Sequence, residues 1–540
     1  MNENVKTNIK FNIIAIICIL IFAFAISPKT LQNDTFYTIK IGEHILNSGI
    51  DMEDPFSWQD LTYTYPHWAY DVMIYFFYNI GGHLGIYIST IIFTAILGLI
   101  IYFTNDEFTN NKPMSFVLTI AVMYLLKDFI AARAQLVTFI LFALEVLFIE
   151  KLLNTGKKRY IVGLIIIPIL IANLHAAVFY FYFILYLPYI AEYIIALLAD
   201  QYGQQLDKRI KKIKEKLLKC NDENKKVKLN NKLEKLIKIK ENKETENEPY
   251  KIIINKRKTT KILLIIMIIC LFTGLLTPQT SFEPYTHLFK LMKGNSTKNI
   301  SEHLPLTLAK DLTLAVVFIF FLSIMIFTDT KIRLCDLFML GGLTALTFMS
   351  RRQESMFMIM CIPIFNRMLT SFLNKYDKNG TEQMKKIMVG ICGTIVTICL
   401  VLIISLLSYN NKYKNNYISK KSYPVEASKW ILDNLDINNI KLYNEYNYGS
   451  YLLYEGIPVF IDSRCDLYTP EFNEGKDIFN DFLAMANMTT NDLEGMFNKY
   501  GFTHFITYKK AKLCIYLNSN PDKYSIIYSD DNFVIYEKVK

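Results

Sequence analysis

The sequence predicts a polytopic α-helical membrane protein of about 11 transmembrane helices, closed by a small C-terminal α/β extracytoplasmic domain. Three observations carry that expectation. Of 540 residues, 52% are hydrophobic and 14% aromatic, and they fall in long apolar blocks, not in the mixed pattern of a soluble chain. The net charge of +10 is local: residues 201–261 hold 20 Lys or Arg against 9 Asp or Glu, a surplus of 11, which leaves −1 for the rest. Beyond residue 410 the blocks give way to short β-rich runs alternating with helical stretches, as in a small α/β unit. Disorder, a fibrous repeat and a disulfide-stapled miniature domain are excluded by composition.

The first apolar block, Phe11 to Ser27, follows Lys6 and Lys10 and contains Ala23-Phe24-Ala25. That is the outline of a signal peptide, but apolar blocks recur down the chain, so it reads as an uncleaved first helix. Residues 28–83 then form the first extracytoplasmic loop. Within it, the aromatic run His67 to Tyr78 reads as a helix lying in the membrane interface. Further spans are expected at 84–103, 114–130, 133–151, 160–174, 176–199, 260–276, 311–328, 334–349, 353–370 and 386–408. Residues 1–410 are thus a transmembrane domain and 411–540 an extracytoplasmic one.

Charge sets the orientation. With the N-terminus in the cytoplasm, Lys157-Lys158-Arg159, the 201–260 loop, Lys331 with Arg333, and Lys375 to Lys386 all fall inside. Residues 28–66, with two basic and six acidic side chains, fall outside, as does the tail with 15 basic and 17 acidic. This satisfies the positive-inside rule and predicts a multi-pass protein of the cytoplasmic (plasma) membrane. The same rule accounts for the basic 201–260 loop, so nucleic acid is not a predicted partner. Leu217, Leu218, Leu229, Leu233, Leu236 and Ile237 recur there among Lys and Glu and suggest a charged helical hairpin, with membrane lipids as neighbours. Nine cysteines show no ligand spacing for zinc, and only Cys465 and Cys514 share a water-exposed region where a disulfide could form.

Strands are expected in the tail at 441–443, 458–462, 504–507, 525–528 and 533–537, with helices at 424–434 and 492–500. Asp462, Arg464 and Asp466 alternate at a strand end and read as a buried salt-bridge network that fixes a loop.

Polar groups at membrane depth are costly and mark sites. On this topology they gather on the outer side: Asp34, Asp54 and His67 in the first loop, Arg133, Asn173 and His175 at helix junctions, Glu302 in a later loop, Arg351 and Arg352 at a helix start. A carboxylate at the interface opposite cations suits transfer from a polyprenyl-phosphate sugar. Arginine holds the phosphate and stabilises the charge it gains on leaving, and a carboxylate takes the proton of the attacking hydroxyl. Asp34, seven residues beyond Ser27, is the candidate base. Arg133, Arg351 and Arg352 are candidate phosphate ligands. Asp54, His67, Asn173, His175 and Glu302 are candidates for the acceptor side or for supporting positions.

Asp34-Thr35-Phe36-Tyr37, Ile41-Gly42-Glu43, Gly49, Asp54-Pro55-Phe56-Ser57 and His67-Trp68 resemble the first outer loop of bacterial GT-C-type membrane glycosyltransferases, relatives of the protein O-mannosyltransferases. Arg133-Ala134-Gln135, Asn173-Leu174-His175, Thr277-Pro278 and the Glu302 loop resemble later landmarks in the same order. In the tail, Tyr443-Asn444, Tyr448 to Leu452 and Val459 to Tyr468 resemble the outer domain of one branch. Ala134 stands where that branch has Pro, and His67-Trp68 lacks an intervening Glu. The resemblance implies a GT-C-like fold, a polyprenyl-phosphate-linked sugar as donor, inverting transfer to a glycan, lipid or protein acceptor in the cell envelope, and Asp34 as general base. No metal site is indicated, although a divalent metal is compatible with the chemistry. The alternatives are a lipid-linked-sugar transporter or flippase, and a non-catalytic assembly protein of the cell envelope.

Overall fold

The computed structural model describes residues 3–218, 223–245, 252–255, 257, 259–278, 282–294, 299–309, 311–377, 379–409 and 416–539. The turn of the predicted basic hairpin at 219–222 and the start of the tail at 411–415 lie outside the described residues.

The chain is a helical membrane protein. Four helices are long and apolar enough to cross a bilayer: Val5–Ile26, Trp68–Thr109, Ala176–Ala199 and Arg351–Tyr376. Gly380–Val389 and Ile391–Leu407, bent by 88° at their junction, make a fifth if taken as one span. Thr260–Leu275, Leu312–Phe327 and Leu334–Met349 are apolar but shorter. The remaining predicted spans are helical too, but Lys112–Leu125 has only 14 residues, and Lys158–Leu174 has 17 with Pro168 inside. Ala134–Thr155 carries Glu145, Glu150 and Lys151. Lys112–Leu125 and Lys158–Leu174 are too short, and Ala134–Thr155 too charged, to qualify as spans alone.

Trp68–Thr109 contains a break. Gly81 and Gly82 leave helical geometry, with Gly82 at φ +56°, a region that favours glycine. The aromatic stretch before the break is thereby set at an angle to the apolar stretch after it, where the sequence separates an interfacial helix from a span. The helix Asn33–Ser48 packs directly on that aromatic stretch. Gly42 makes this possible: a Cβ there would stand 2.2 Å from the Asp71 carbonyl oxygen and 2.7 Å from Tyr75 Cβ.

The basic hairpin is present. Leu187–Leu218 continues unbroken out of the apolar region, and Glu223–Thr245 packs against it. Ile210 is buried, and Ile213, Leu217, Leu229, Leu233, Leu236 and Ile237 are half-buried along the seam, while the lysines at 208–216 and 225–238 are exposed.

The tail forms a four-stranded sheet in the order Leu442–Tyr443, His504–Tyr508, Phe533–Lys538, Tyr524–Ser529. Its first pair is parallel and the others antiparallel. Helices Val425–Asn434 and Leu493–Tyr500 stand where predicted. The second is capped by Asp492, whose Oδ1 accepts from Gly495 N at 2.8 Å, and stops at Gly501 (φ +64°). The run at 458–462 is not a sheet strand. It makes only an isolated parallel bridge to the first loop, Val459 N donating to Phe56 O at 3.1 Å, and side chains take other backbone groups: Asn444 Oδ1 accepts from Phe460 N at 2.8 Å, Asn444 Nδ2 donates to Ile461 O at 2.6 Å, and Ser57 Oγ donates to Val459 O at 3.0 Å. Cys465 and Cys514 do not form a disulfide with each other.

The tail also seals onto the first loop. Trp58 Nε1 donates to Leu442 O at 3.2 Å, Gln59 Nε2 to Phe460 O at 2.8 Å, and the Phe36 ring meets Tyr423 and Tyr451 edge-on. Those contacts close one side of a polar cavity.

Candidate functional site

The cavity, of about 470 Å³, lies where the first loop, the junctions before Ala134–Thr155 and after Lys158–Leu174, the 283–303 segment, Arg352 and the tail meet. Of the residues singled out in the sequence, Asp34, His67, Arg133, His175, Glu302 and Arg352 line it; Asp54, Asn173 and Arg351 do not.

Asp34 stands in the first turn of Asn33–Ser48. Two neighbours pin that turn: Asn33 Nδ2 donates to Tyr446 O at 2.9 Å, and Thr35 Oγ1 to Ala132 O at 3.3 Å. The Asp34 carboxylate is ion-paired with Arg133, which reaches Glu302 Oε1 at 3.3 Å on its other side. Arg133 immediately precedes its own helix, so a single residue joins three wall segments. Arg352 differs. It sits in the turn Arg351–Gln353 beside Glu302, held by Arg351 N donating to Leu304 O at 3.1 Å. Among the described residues no side chain or backbone group lies within ion-pair or hydrogen-bond range of its guanidinium.

Four histidines line the wall, His67, His175, His287 and His303, and the first three stand in three different settings. His67 Nδ1 donates to buried Asp71 at 2.8 Å, which leaves Nε2 facing the Tyr37 hydroxyl at 3.3 Å. Thr138 Oγ1 donates to Ala134 O at 3.0 Å and lies 2.9 Å from His175 Nδ1, so that nitrogen must carry the proton toward Thr138. Burial first, then the nearby Arg352 charge, holds His175 well below its ordinary range and hence neutral. His287 is the opposite case. Burial works against its charge, but hydrogen bonds with Asp466 (3.3 Å from Nε2) and Glu283 (2.7 Å from Nδ1) win and raise it to about 9. Thr64 Oγ1 donates to Glu283 at 2.9 Å. This linkage ties the first loop to the tail across the cavity.

Asp54 stands behind the wall. Arg464 Nη1 binds it at 2.6 Å and Arg464 Nη2 binds Asp462 at 2.6 Å, with the guanidinium packed against the Phe56 and Tyr63 rings. Tyr468 OH donates to Asp462 at 2.7 Å. The buried network read from Asp462 and Arg464 is therefore present, with Asp54 as its third member. Asp466 turns away from it to His287. Asn173 accepts from Trp68 Nε1 at 3.0 Å and donates to Ile169 O and Leu276 O, a junction of helix ends.

Tyr37, His287, Arg464 and Asp466 line the cavity but were not sequence candidates for it. Tyr37 was legible, since it lies one turn after Asp34 on the same helix. The others depend on how the tail docks. Two buried polar atoms of wall residues, Tyr63 OH and Asn33 Oδ1, have no hydrogen-bond partner among the described residues, whereas such groups are normally satisfied. No group of three His, Cys, Asp or Glu side chains close enough to hold a metal ion occurs among the described residues. No protein-family model and no curated protein matches the chain.

Proposed function

We propose that the chain is a GT-C-like glycosyltransferase of the cytoplasmic membrane, with about 11 crossings, its cavity and C-terminal α/β domain facing outward. It transfers a sugar from a polyprenyl-phosphate donor to an acceptor in the cell envelope with inversion. The observation that supports this best is the pairing of one carboxylate, Asp34, with one unengaged cation, Arg352, in a single polar cavity at the ends of apolar helices. Arg352 receives the donor phosphate. Arg133 is shared between Asp34 and that phosphate, so donor binding loosens the Asp34–Arg133 pair and turns the carboxylate toward the acceptor hydroxyl. Leu304, Phe348 and Met349 expose apolar side chains next to the Arg352 turn, a surface that suits a prenyl chain. Asp54 and Asn173 act from behind the wall. Arg351 has no role in this reading.

The test compares membrane lipids and surface glycans by mass spectrometry in cells carrying the wild-type chain or Asp34→Asn. Accumulation of a polyprenyl-phosphate sugar with loss of one glycan decoration supports the reading and names both substrates. Profiles equal to wild type in the variant overturn it.

A transporter calls for polar groups buried along a path through the bundle. Glu145 is one such group, fully buried with both carboxyl oxygens lacking a hydrogen-bond partner among the described residues. It lies 12 residues along the helix from Arg133, about 18 Å from the cavity wall.

A further inference from the structure

Asp34 faces a difficulty as a base. Its carboxylate is ion-paired with Arg133, so a proton taken up there needs a destination before the pair can form again. The cavity contains one. Tyr37 follows Asp34 by three residues on the same helix, a spacing that brings two side chains together. Its hydroxyl meets His67 Nε2 at 3.3 Å, and its ring stacks on the imidazole at 5.7 Å between centroids. His67 Nδ1 touches both carboxyl oxygens of Asp71, at 2.9 and 2.8 Å. Asp71 is fully buried, and the close approach that Gly42 permits presses its turn against the helix bearing Tyr37. The aspartate thus fixes the ring with Nε2 as the acceptor.

We propose that Tyr37, His67 and Asp71 form a proton relay that serves Asp34, a role that rests on the transferase reading. The acceptor hydroxyl gives its proton to Asp34 as its oxygen bonds the anomeric carbon. The bond from that carbon to the donor phosphate breaks, and the electron pair leaves with the phosphate. Asp34 passes the proton to the Tyr37 oxygen while Tyr37 hands its own to His67 Nε2. His67 becomes an imidazolium balanced by Asp71, and deprotonation to water through the cavity resets the site. Asp71 is a positioning residue and touches no substrate. The charged and titratable groups facing His67 are Asp71 on its own helix, Tyr37 from Asn33–Ser48, His175 from the turn after Lys158–Leu174, Arg464 from the tail, and the Asp34–Arg133 pair across the cavity.

The test has two parts. In the full chain, solubilised in detergent and labelled with ¹⁵N-histidine, the resonance lost in His67→Gln identifies His67. The relay predicts a ring protonated at Nδ1, and a share of the Nε2-protonated form that rises in Asp71→Asn. In cells, the rate of surface decoration is followed against medium pH. Tyr37→Phe and His67→Gln are expected to slow it by about 10- to 100-fold, and Asp71→Asn to slow it less. A wild-type ring protonated at Nε2, or a tautomer left unmoved in Asp71→Asn, overturns the relay. Wild-type decoration in Tyr37→Phe and His67→Gln beside a silent Asp34→Asn also overturns the relay, and leaves the transferase standing. Wild-type decoration in Asp34→Asn removes the transferase and the relay with it. Tyr37→Phe and His67→Gln keep the question decidable if Asp71→Asn fails to fold.

Discussion

The helix Ala134–Thr155 has a charge cluster at each end, and the two clusters differ in one respect. Near its C-terminus, Glu150 binds Arg333 at 2.6 Å and Arg257 at 3.3 Å and accepts from Tyr189 OH at 3.2 Å. Asp336 binds Arg333 at 2.7 Å and Arg367 at 2.6 Å. Every member of that cluster is bound to another. At the other end, Arg133 is bound to Asp34 and Glu302, but Arg352 beside it is not, and a cavity stands in front of both. Charge at a helix end therefore says little about function. What separates a fastening from a site is whether the geometry leaves a charge unanswered next to space that a ligand can fill. The Asp54–Arg464–Asp462 network, whose arginine reaches the cavity while both carboxylates stand behind its wall, belongs with the first kind.

Breaking a closed network should have the largest effect. Arg464→Leu leaves Asp54 and Asp462 buried without their cation, and Glu150→Leu leaves Arg333 and Arg257 short of theirs. Each is expected to cost about 3–5 kcal/mol, read as a lowered thermal midpoint in detergent. Asp34→Asn should act on turnover instead. A lost general base slows transfer by about 10²–10⁴-fold, with the thermal midpoint changed far less than in Arg464→Leu.

The Glu283–His287–Asp466 chain predicts a pH effect of intermediate size. His287 is raised to about 9, so its stabilisation is complete below its ordinary value of 6.5 and is lost as pH rises through 9. The interval corresponds to a loss on the order of 3 kcal/mol. Glu283 is lowered, burial being outweighed by the His287 hydrogen bond, so its share is present above the usual carboxylate range and lost on acidification. Thermal midpoints measured from about pH 6 to 10 should fall for the wild type and stay flatter for His287→Gln. The smallest effect belongs to Arg352→Leu. Removing a cation that no described residue pairs with should lower stability by no more than about 1 kcal/mol, while donor-dependent activity is lost. A destabilisation as large as that of Arg464→Leu would place Arg352 among the fastenings and erase the contrast.

Much of the site could be read from the chain. Asp34 follows closely on an apolar block, Arg133 and His175 fall at junctions between apolar blocks, and Arg352 opens another. All four are at or near helix ends, and those ends meet at one cavity. Asp54 shows the limit. A carboxylate in a polar loop can face a cavity or turn its back on it, and Arg464, 410 positions later, decides which. The 458–462 run shows the same limit for secondary structure. Its β-forming residues suit a strand, but its backbone groups went to one bridge with the first loop and to the side chains of Asn444, Ser57 and Gln59, and no local pattern encodes partners so far away.

The sequence alone therefore determined the features that local chemistry sets: which blocks are apolar enough for a bilayer, where an aromatic helix gives way to an apolar one just before residue 84, where the basic hairpin lies, and where the tail changes character. Burial of apolar surface and backbone geometry act over a few turns, and a few turns are visible in order. Tertiary structure alone decided which charges are answered. Ion pairing depends on distances of about 3 Å between residues separated by tens to hundreds of positions. Only the docking of the tail onto the first loop set His287 against Asp466 and Arg464 against Asp54, and left Arg352 facing the cavity.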